Sequence, residues 1–410
     1  MTLTCRFCSS PLQTSFADLG ASPLANSFLE PDQLAEPEVF YPLHARVCAS
    51  CFLVQLPELA APEQIFSDYA YFSSFSDSWL EHARRYAEAM VERFGLGAEH
   101  RVLEIASNDG YLLRWFHDKG IPVLGIEPAA NVAAAAEARG IPTRIRFFGE
   151  AAATDLVEEG FTADLLVGNN VLAHVPALND FCRGLATILA PEGILTLEVP
   201  HLQRLVEGNQ FDTIYHEHFS YFSLGTAKEI LGRHGLVVFD VEELPTHGGS
   251  LRLYARHAAR DAPGTTGAVS DVLAREAELG YRDLDLYRRF AEEVRRTKRS
   301  LLRFLLNAKE EGATVVGYGA PAKGNTLLNY CGIGTDFVEY TVDRSPHKQG
   351  RYLPGTRIPI HPPERIAETR PDYVWILPWN LTEEITHQMA LIRSWGGRFV
   401  VAIPEVMVIP

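Results

Sequence analysis

At 410 residues and 47% hydrophobic side chains, the chain can bury several cores, and length alone predicts roughly two to three domains. Its 37 Lys and Arg against 52 Asp and Glu leave a net charge of −15, which argues against a protein that grips nucleic acid through its phosphates. Met1 to Ser10 lacks the apolar core of a signal peptide, and no apolar run approaches the ~20 residues of a membrane span, so a soluble cytoplasmic protein without a membrane partner is expected, as a monomer or small homo-oligomer.

The amino-terminal 51 residues hold four of the six cysteines, as the pairs Cys5/Cys8 and Cys48/Cys51. Two Cys-x-x-Cys turns supply four thiolates, the tetrahedral set of a closed structural zinc site. A catalytic zinc would need an open position, which four cysteines leave no room for. The long gap between the pairs implies an excursion, read as a hairpin around Tyr41 to Val47. Cys182 and Cys331 read as buried free thiols. Within Asp68-Tyr69-Ala70-Tyr71-Phe72, Tyr69 and Tyr71 are two apart, so on an extended stretch both would project one way.

From Ser76 to Phe94, apolar residues at three- and four-residue intervals predict an amphipathic helix. Strands are then predicted at Val102–Ile105, Val123–Ile126, Leu165–Val167 and Ile194–Val199, with helices at Ala129–Ala138 and from Asn179 to Leu189. That alternation predicts an α/β fold with a parallel, doubly wound sheet, its ligand at the carboxyl ends of the strands. Residues Asp271 to Glu310, dense in Arg, Glu and Leu, predict one or two long bridging helices. Thr314–Tyr318, Phe337–Val342, Tyr373–Ile376 and Phe399–Ala402 predict a second, smaller α/β domain. The division expected is a zinc-binding domain at 1–75, a cofactor domain at 76–260, a helical linker at 261–310 and a Rossmann-like nucleotide-binding domain at 311–410.

The run from Val102 to Tyr111 is an apolar strand carrying Glu104, followed by a small-residue turn, Ala106-Ser107-Asn108-Asp109-Gly110, that opens into a helix. One glycine stands where a Gly-x-Gly-x-x-Gly pyrophosphate cradle wants three, so a ligand without phosphates fits better. Glu127 ends the next strand, placed to accept hydrogen bonds from ribose hydroxyls. Asn169 and Asn170 close the Leu165 strand and offer amides to an adenine edge or a methionyl tail. Together these features resemble the class I S-adenosylmethionine methyltransferases, with Glu104, Ser107, Asn108, Gly110, Tyr111, Glu127, Asn169 and Asn170 as the candidate cofactor residues.

Phe211 to Ser220 packs Tyr215, His216, Glu217 and His218 between apolar flanks. Histidine suits acid–base work because its ordinary pKa, about 6.5, lies near working pH. His218 is the candidate base, with Tyr215 and Glu217 as proton donor, orienter or supporting partner. His174, after the loop of the Leu165 strand, either meets a substrate oxygen or caps the next helix. His247 precedes Gly248-Gly249, a turn that permits close ligand approach. In the last domain, Gly319, Lys323 and Asn325 follow a strand and could cradle a pyrophosphate. Asp343 ends the next strand, and Trp379 with Asn380 follows another; both positions suit a nucleotide.

In order along the chain, the paired cysteines, Glu104 to Gly110, Tyr215 to His218, His247-Gly248-Gly249 and Gly317-Tyr318-Gly319-Ala320-Pro321-Ala322-Lys323 resemble the sugar C-methyltransferases of deoxysugar biosynthesis. The resemblance covers nearly the whole chain. It implies a zinc-binding domain, a class I S-adenosylmethionine domain and a Rossmann-like domain. It also implies methylation of a ring carbon of a dTDP-linked 4-keto-deoxyhexose, as in antibiotic sugar pathways. Carried over, it places Cys5, Cys8, Cys48 and Cys51 on zinc, His218 as base, and Tyr69, His174, Tyr215 and Glu217 around the sugar. Tyr71, His247, Gly319, Lys323, Asn325, Asp343 and Trp379 are the substrate-binding candidates. Two departures are His216, where the family tends to have Asp, and Ala106-Ser107 in place of Gly-Cys. They leave open another nucleotide sugar or small metabolite, methylated on O or N. A non-catalytic zinc-ribbon scaffold is the rival of another class.

Overall fold

The computed structural model describes residues 3–61, 73–75, 77–260 and 264–410, so Tyr69 and Tyr71 lie outside the described residues. Strands β1 (Thr14–Ser22) and β2 (Tyr41–Val47) pair antiparallel, Thr14 opposite Val47 and Ser22 opposite Tyr41. The stretch expected to hold a hairpin is therefore its return strand. Leu43, Ala45 and Val47 point inward at period two. Short β3 (Val54–Gln55) follows the second cysteine pair and joins β2.

The central sheet is built from β4 (Val102–Ile105), β5 (Val123–Ile126), β6 (Thr143–Arg144), β7 (Ala163–Asn169) and β8 (Leu189–Pro200), all parallel. All four residues of β4 are buried, as a central strand covered on both faces requires. Two-residue β9 (Ser220–Tyr221) leaves this sheet and pairs with β3, so a strand of the central region completes the amino-terminal sheet. A final hairpin, β10 (Leu236–Leu244) and β11 (Ser250–His257), inserts β11 antiparallel to β8. The order is β10-β11-β8-β7-β4-β5-β6. The sheet is thus not wholly parallel as expected; one edge reverses.

The carboxy-terminal sheet has the order β14-β13-β12-β15-β16-β17. Its strands are β12 (Val315–Tyr318), β13 (Thr341–Val342), β14 (Ile360–His361), β15 (Tyr373–Ile376), β16 (Arg398–Val401) and the antiparallel edge β17 (Met407–Ile409). The expected strand at Phe337–Val342 shortens to β13.

The linker forms two helices, Gly267–Leu279 and Leu284–Glu310. On the longer, Tyr287, Phe290, Val294, Leu301 and Leu305 make a buried stripe at helical spacing, while Arg295–Glu292 and Arg296–Glu293 pairs face water. The stripe packs on β1, with Phe290 stacked on Phe16 at 4.5 Å between centroids. One apolar core runs from Phe16 and Leu43 through this helix to Val315, Leu327 and Trp375. The linker is therefore a shared core element. Among the described residues, no helix is long and apolar enough to cross a membrane.

Candidate active site

Cys5, Cys8, Cys48 and Cys51 converge, their sulfurs all within 4.8 Å of one another. Cys5–Cys51 and Cys8–Cys48 stand 3.6 and 3.5 Å apart. Four sulfurs about 2.3 Å from one tetrahedral zinc lie roughly 3.8 Å from each other, so the set fits that ion. Gln55 Nε2 lies 3.1 Å from Cys5 Sγ and Ser50 N–H 3.4 Å from Cys48 Sγ, donors that suit thiolates. The four sulfurs fill the coordination shell, which makes the site structural. Between the first two cysteines, half-buried Arg6 reaches across to Val175 O and Pro176 O at 3.4 and 3.1 Å and to Leu56 O. The zinc knuckle thereby holds the loop that follows His174.

At the carboxyl ends of β4, β5 and β7 the structure gathers the expected cofactor residues. Ala106, Asn108 and Gly110 all take positive φ, winding the loop back on itself. At Gly110 a β-carbon would also come within 3.0 Å of Ile141, so glycine is needed there. Gly125 makes room for Ser107, whose Oγ would lie 2.3 Å from an added β-carbon. Glu127 binds the loop through one oxygen, accepting N–H from Asn108, and the start of the following helix through the other, accepting N–H from Ala129, at 2.9 Å each. Each oxygen keeps a second lone pair for a ribose hydroxyl. Glu104 is buried, and burial followed by the charges of Glu127 and Asp109 raises its pKa well above the ordinary value. Its Oε2, Ser107 Oγ and both amide atoms of Asn169 are buried without a partner among the described residues. Unsatisfied donors and acceptors around a glycine turn, with a carboxylate at the neighbouring strand end, fit S-adenosylmethionine: its amino acid end and its ribose both need such groups. Asn170, also at positive φ, donates its N–H to Glu198 O and turns the chain toward His174.

The second cluster is the Tyr215–His218 turn, closed by His218 N–H to Tyr215 O at 2.9 Å. The turn brings residues three apart together: Tyr215 Oη lies 2.9 Å from His218 Nε2. His218 Nδ1 lies 2.9 Å from Thr213 O, an acceptor only, so Nδ1 carries the proton and Nε2 is the basic nitrogen. His174 is fixed the same way by Glu217 O at 2.8 Å, and the two imidazoles meet at 4.7 Å. Burial, then the neighbouring His174, holds His218 well below the ordinary histidine pKa, and burial holds His174 at about 4. Both are neutral at pH 7. Glu217 faces the amino-terminal domain, where Asn26 Nδ2 donates to it at 2.7 Å; burial raises it to about 7. His216 points away, its Nε2 on Pro42 O at 3.2 Å.

His247, at φ 55, packs 5.1 Å from Trp79 and acts electrostatically on His218; burial lowers it to about 4. From the carboxy-terminal domain, Lys323 and Trp379 reach the same junction. Lys323 Nζ sits 4.2 Å over the Trp379 ring and bonds Asn380 Oδ1; burial lowers it to about 8. Trp379 Nε1 donates to Asp212 Oδ2 at 2.8 Å. Asn325 is buried with both amide atoms unpartnered among the described residues. Two other expected nucleotide residues are already engaged. Asp343 accepts N–H from Ala320 and Ser345 at 2.8 Å each, and Pro378 fills the space beside Gly319, 2.6 Å from where a β-carbon would stand. Sequence reasoning gave no role to Arg6, Asn26 or Asp212. Only Asp212 carried a signal, as one more polar residue in the dense Phe211–Ser220 run.

Residues 5–66 match the family model of a zinc binding domain, 79–241 that of a methyltransferase domain, and 245–404 that of a C-methyltransferase C-terminal domain. The chain is 38% identical over 405 residues to the C-methyltransferase NovU of Streptomyces niveus, covering 99% of this chain and 96% of that protein. Among solved structures, magnesium protoporphyrin IX methyltransferase of Synechocystis PCC 6803 is similar at 15% identity and TM-score 0.33, over 43% of this chain and 78% of that one. A S-adenosylmethionine dependent methyltransferase of Mesorhizobium loti is similar at 18% identity and TM-score 0.33, over 45% and 99%. With the near-complete match to NovU and all three domain models in order, the chain belongs to the family of S-adenosylmethionine-dependent C-methyltransferases that carry an amino-terminal zinc-binding domain.

Proposed function

We propose that the enzyme methylates a ring carbon of a nucleotide-linked 4-keto-deoxyhexose, with dTDP as the expected nucleotide, by base-assisted enolate formation. A saturated ring carbon has no lone pair with which to attack. Removing the proton beside a ketone creates one. The observation that carries this reading is the tautomer of His218: with Nδ1–H committed to Thr213 O, a neutral Nε2 is left as the base. Substrate entering between Tyr215 and His218 frees both groups at once. Nε2 then takes the α-proton, the C–H electron pair moves into the carbon–carbon bond, and the carbonyl oxygen gains the charge. The Tyr215 hydroxyl, and Glu217 in its protonated form, are the donors that stabilise that oxygen. His174 Nε2, an acceptor, suits a sugar hydroxyl.

S-adenosylmethionine, when bound, supplies the electrophilic methyl group that the carbon takes. Glu127 and Asn169 orient it from the strand ends. Lys323 is a partly buried cation that makes no ion pair among the described residues, the Asp212 charge acting on it only at longer range, which favours it as the counter-charge of a diphosphate. The unpartnered amide of Asn325 suits a base edge.

His218→Asn should abolish methyl transfer while S-adenosylhomocysteine still binds in calorimetry; retained turnover removes His218 as the base. Loss of deuterium from the position next to the ketone is expected. Methyl transfer with that deuterium kept would point to O- or N-methylation instead.

A further inference from the structure

The short turn Phe211–Thr213 stands between the carboxy-terminal domain and the catalytic pair. Trp379 reaches it on one side, donating to Asp212 Oδ2 at 2.8 Å. On the other side Thr213 O accepts the Nδ1–H of His218 at 2.9 Å. Asp212 is fully buried, and its second oxygen has no partner among the described residues. The indole supplies the side-chain hydrogen bond of this carboxylate, and the nearby Lys323 charge acts on it as well.

The indole is itself held. Lys323 covers its ring, and its Cη2 edge lies where a β-carbon on Gly248 would come within 2.5 Å, at a backbone φ of +91°. Gln210, the residue before the turn, donates to Gly248 O at 2.8 Å and accepts from Thr213 N–H and Oγ1 at 3.1 and 2.7 Å. The face and edge so engaged leave Trp379 poorly placed to stack on a nucleobase, the role expected for it from the sequence.

We propose that Trp379 and Asp212 are positioning residues for His218. Beside the edge contact of Phe211 on Tyr330 at 5.5 Å, the indole–carboxylate bond is the polar link by which the carboxy-terminal domain holds the turn whose Thr213 carbonyl selects the imidazole tautomer. The physical reason is that a buried carboxylate deprived of its donor drives local rearrangement rather than staying unsatisfied. Thr213, the next residue, moves with it. Once Thr213 O shifts, Nδ1 loses the acceptor that keeps the proton there, and Nε2 ceases to be the only basic nitrogen. This inference rests on the reading of His218 as the base.

The test uses Trp379→Phe, Asp212→Ala, their double variant and the isosteric Asp212→Asn, all in the full chain. Nitrogen-15 NMR of the imidazoles, with His218 assigned by loss of its signals in His218→Asn, reads the tautomer without any substrate. The native enzyme should show His218 as a single Nδ1–H form. Trp379→Phe and Asp212→Ala should each show a mixture, the double variant no more than either, and Asp212→Asn, which keeps an acceptor, the native form. On a dTDP-4-keto-deoxyhexose acceptor, kcat should fall on the order of tenfold to a hundredfold in the first two, with S-adenosylhomocysteine affinity unchanged. An unchanged His218 spectrum in Trp379→Phe and Asp212→Ala overturns the inference, as do losses that multiply in the double variant. If His218→Asn stays active, the base reading fails, while the tautomer shift is still observed or not on its own account.

Discussion

Glu217 stores a pH-dependent instability that a single substitution should release. The carboxyl is 3% exposed, its side-chain partner among the described residues is Asn26, and burial raises its pKa from 4.5 to about 7. Below pH 4.5 the folded and unfolded chains both carry the proton, and the group is neutral in its effect. Between pH 4.5 and 7 the unfolded chain ionises first, so stability falls as pH rises. Above pH 7 the full difference, 7 − 4.5 units, is lost, about 3 kcal/mol. Glu217→Gln keeps an oxygen for Asn26 and cannot ionise. Urea unfolding of both proteins from pH 4 to pH 8 should give equal midpoints at the acid end. The variant should gain steadily toward about 3 kcal/mol at pH 8. Methyl transfer should fall in the same variant, because an amide cannot deliver the proton a carboxylic acid does. A stability difference that stays constant with pH would refute the reasoning, because it would show that the carboxyl titrates alike in both states.

Gly125→Ala should weaken S-adenosylhomocysteine binding on the order of tenfold in calorimetry, since the new methyl stands 2.3 Å from Ser107 Oγ and pushes it into the cofactor loop. Arg6→Met strips donors from the Val175, Pro176 and Leu56 carbonyls, and should lower the unfolding free energy in urea by at least about 2 kcal/mol and reduce kcat more than cofactor affinity. Equal effects on kcat and on cofactor affinity would separate Arg6 from the His174 loop. Stripping the zinc with a chelator should release four titratable thiols and abolish methyl transfer together, because β3, just beyond Cys51, pairs with β9, just beyond His218. Activity that outlasts zinc release would refute that coupling.

The elements that sequence made legible are those with local causes. Two Cys-x-x-Cys turns encode their own convergence, and the run at β4, apolar but for Glu104, encodes a covered strand with its loop at the carboxyl end. The helix Leu284–Glu310 announced its apolar stripe, but which surface it covers was not visible, because the Phe16 ring it meets lies more than 270 residues away. The β10–β11 hairpin reversed an edge of the sheet with no marked turn signal beyond Gly248-Gly249. Two-residue β9 is too short to carry a period at all. At the site, the residue types of the Tyr215–His218 run were readable, and their geometry was not. A turn, rather than an extended strand, pairs Tyr215 with His218 and sends His216 the other way. Arg6, Asn26 and Trp379 act through contacts more than 150 residues apart, which no local pattern records.

A neutral histidine buried beside a second histidine is an unfavourable place for the proposed base, and its tautomer is set from two sides, by the Thr213 carbonyl at Nδ1 and the Tyr215 hydroxyl at Nε2. Such a group persists only where its surroundings over-determine it. Here the constraint comes from two sides. Before His218, Asp212 is tied to Trp379 of the carboxy-terminal domain. After it, Ser220 and Tyr221 are sewn into the amino-terminal sheet beside the zinc knuckle, and Phe219 packs under the Arg6 guanidinium at 5.3 Å. The segment from Asp212 to Tyr221 belongs by sequence to the cofactor region, yet it is held by the two flanking ones. A central methyltransferase sheet can present a methyl donor alone. On the proposed mechanism, presenting a carbon base to it takes both neighbours, in keeping with the continuous core that this chain buries across all three regions instead of joining separate domains by open linkers.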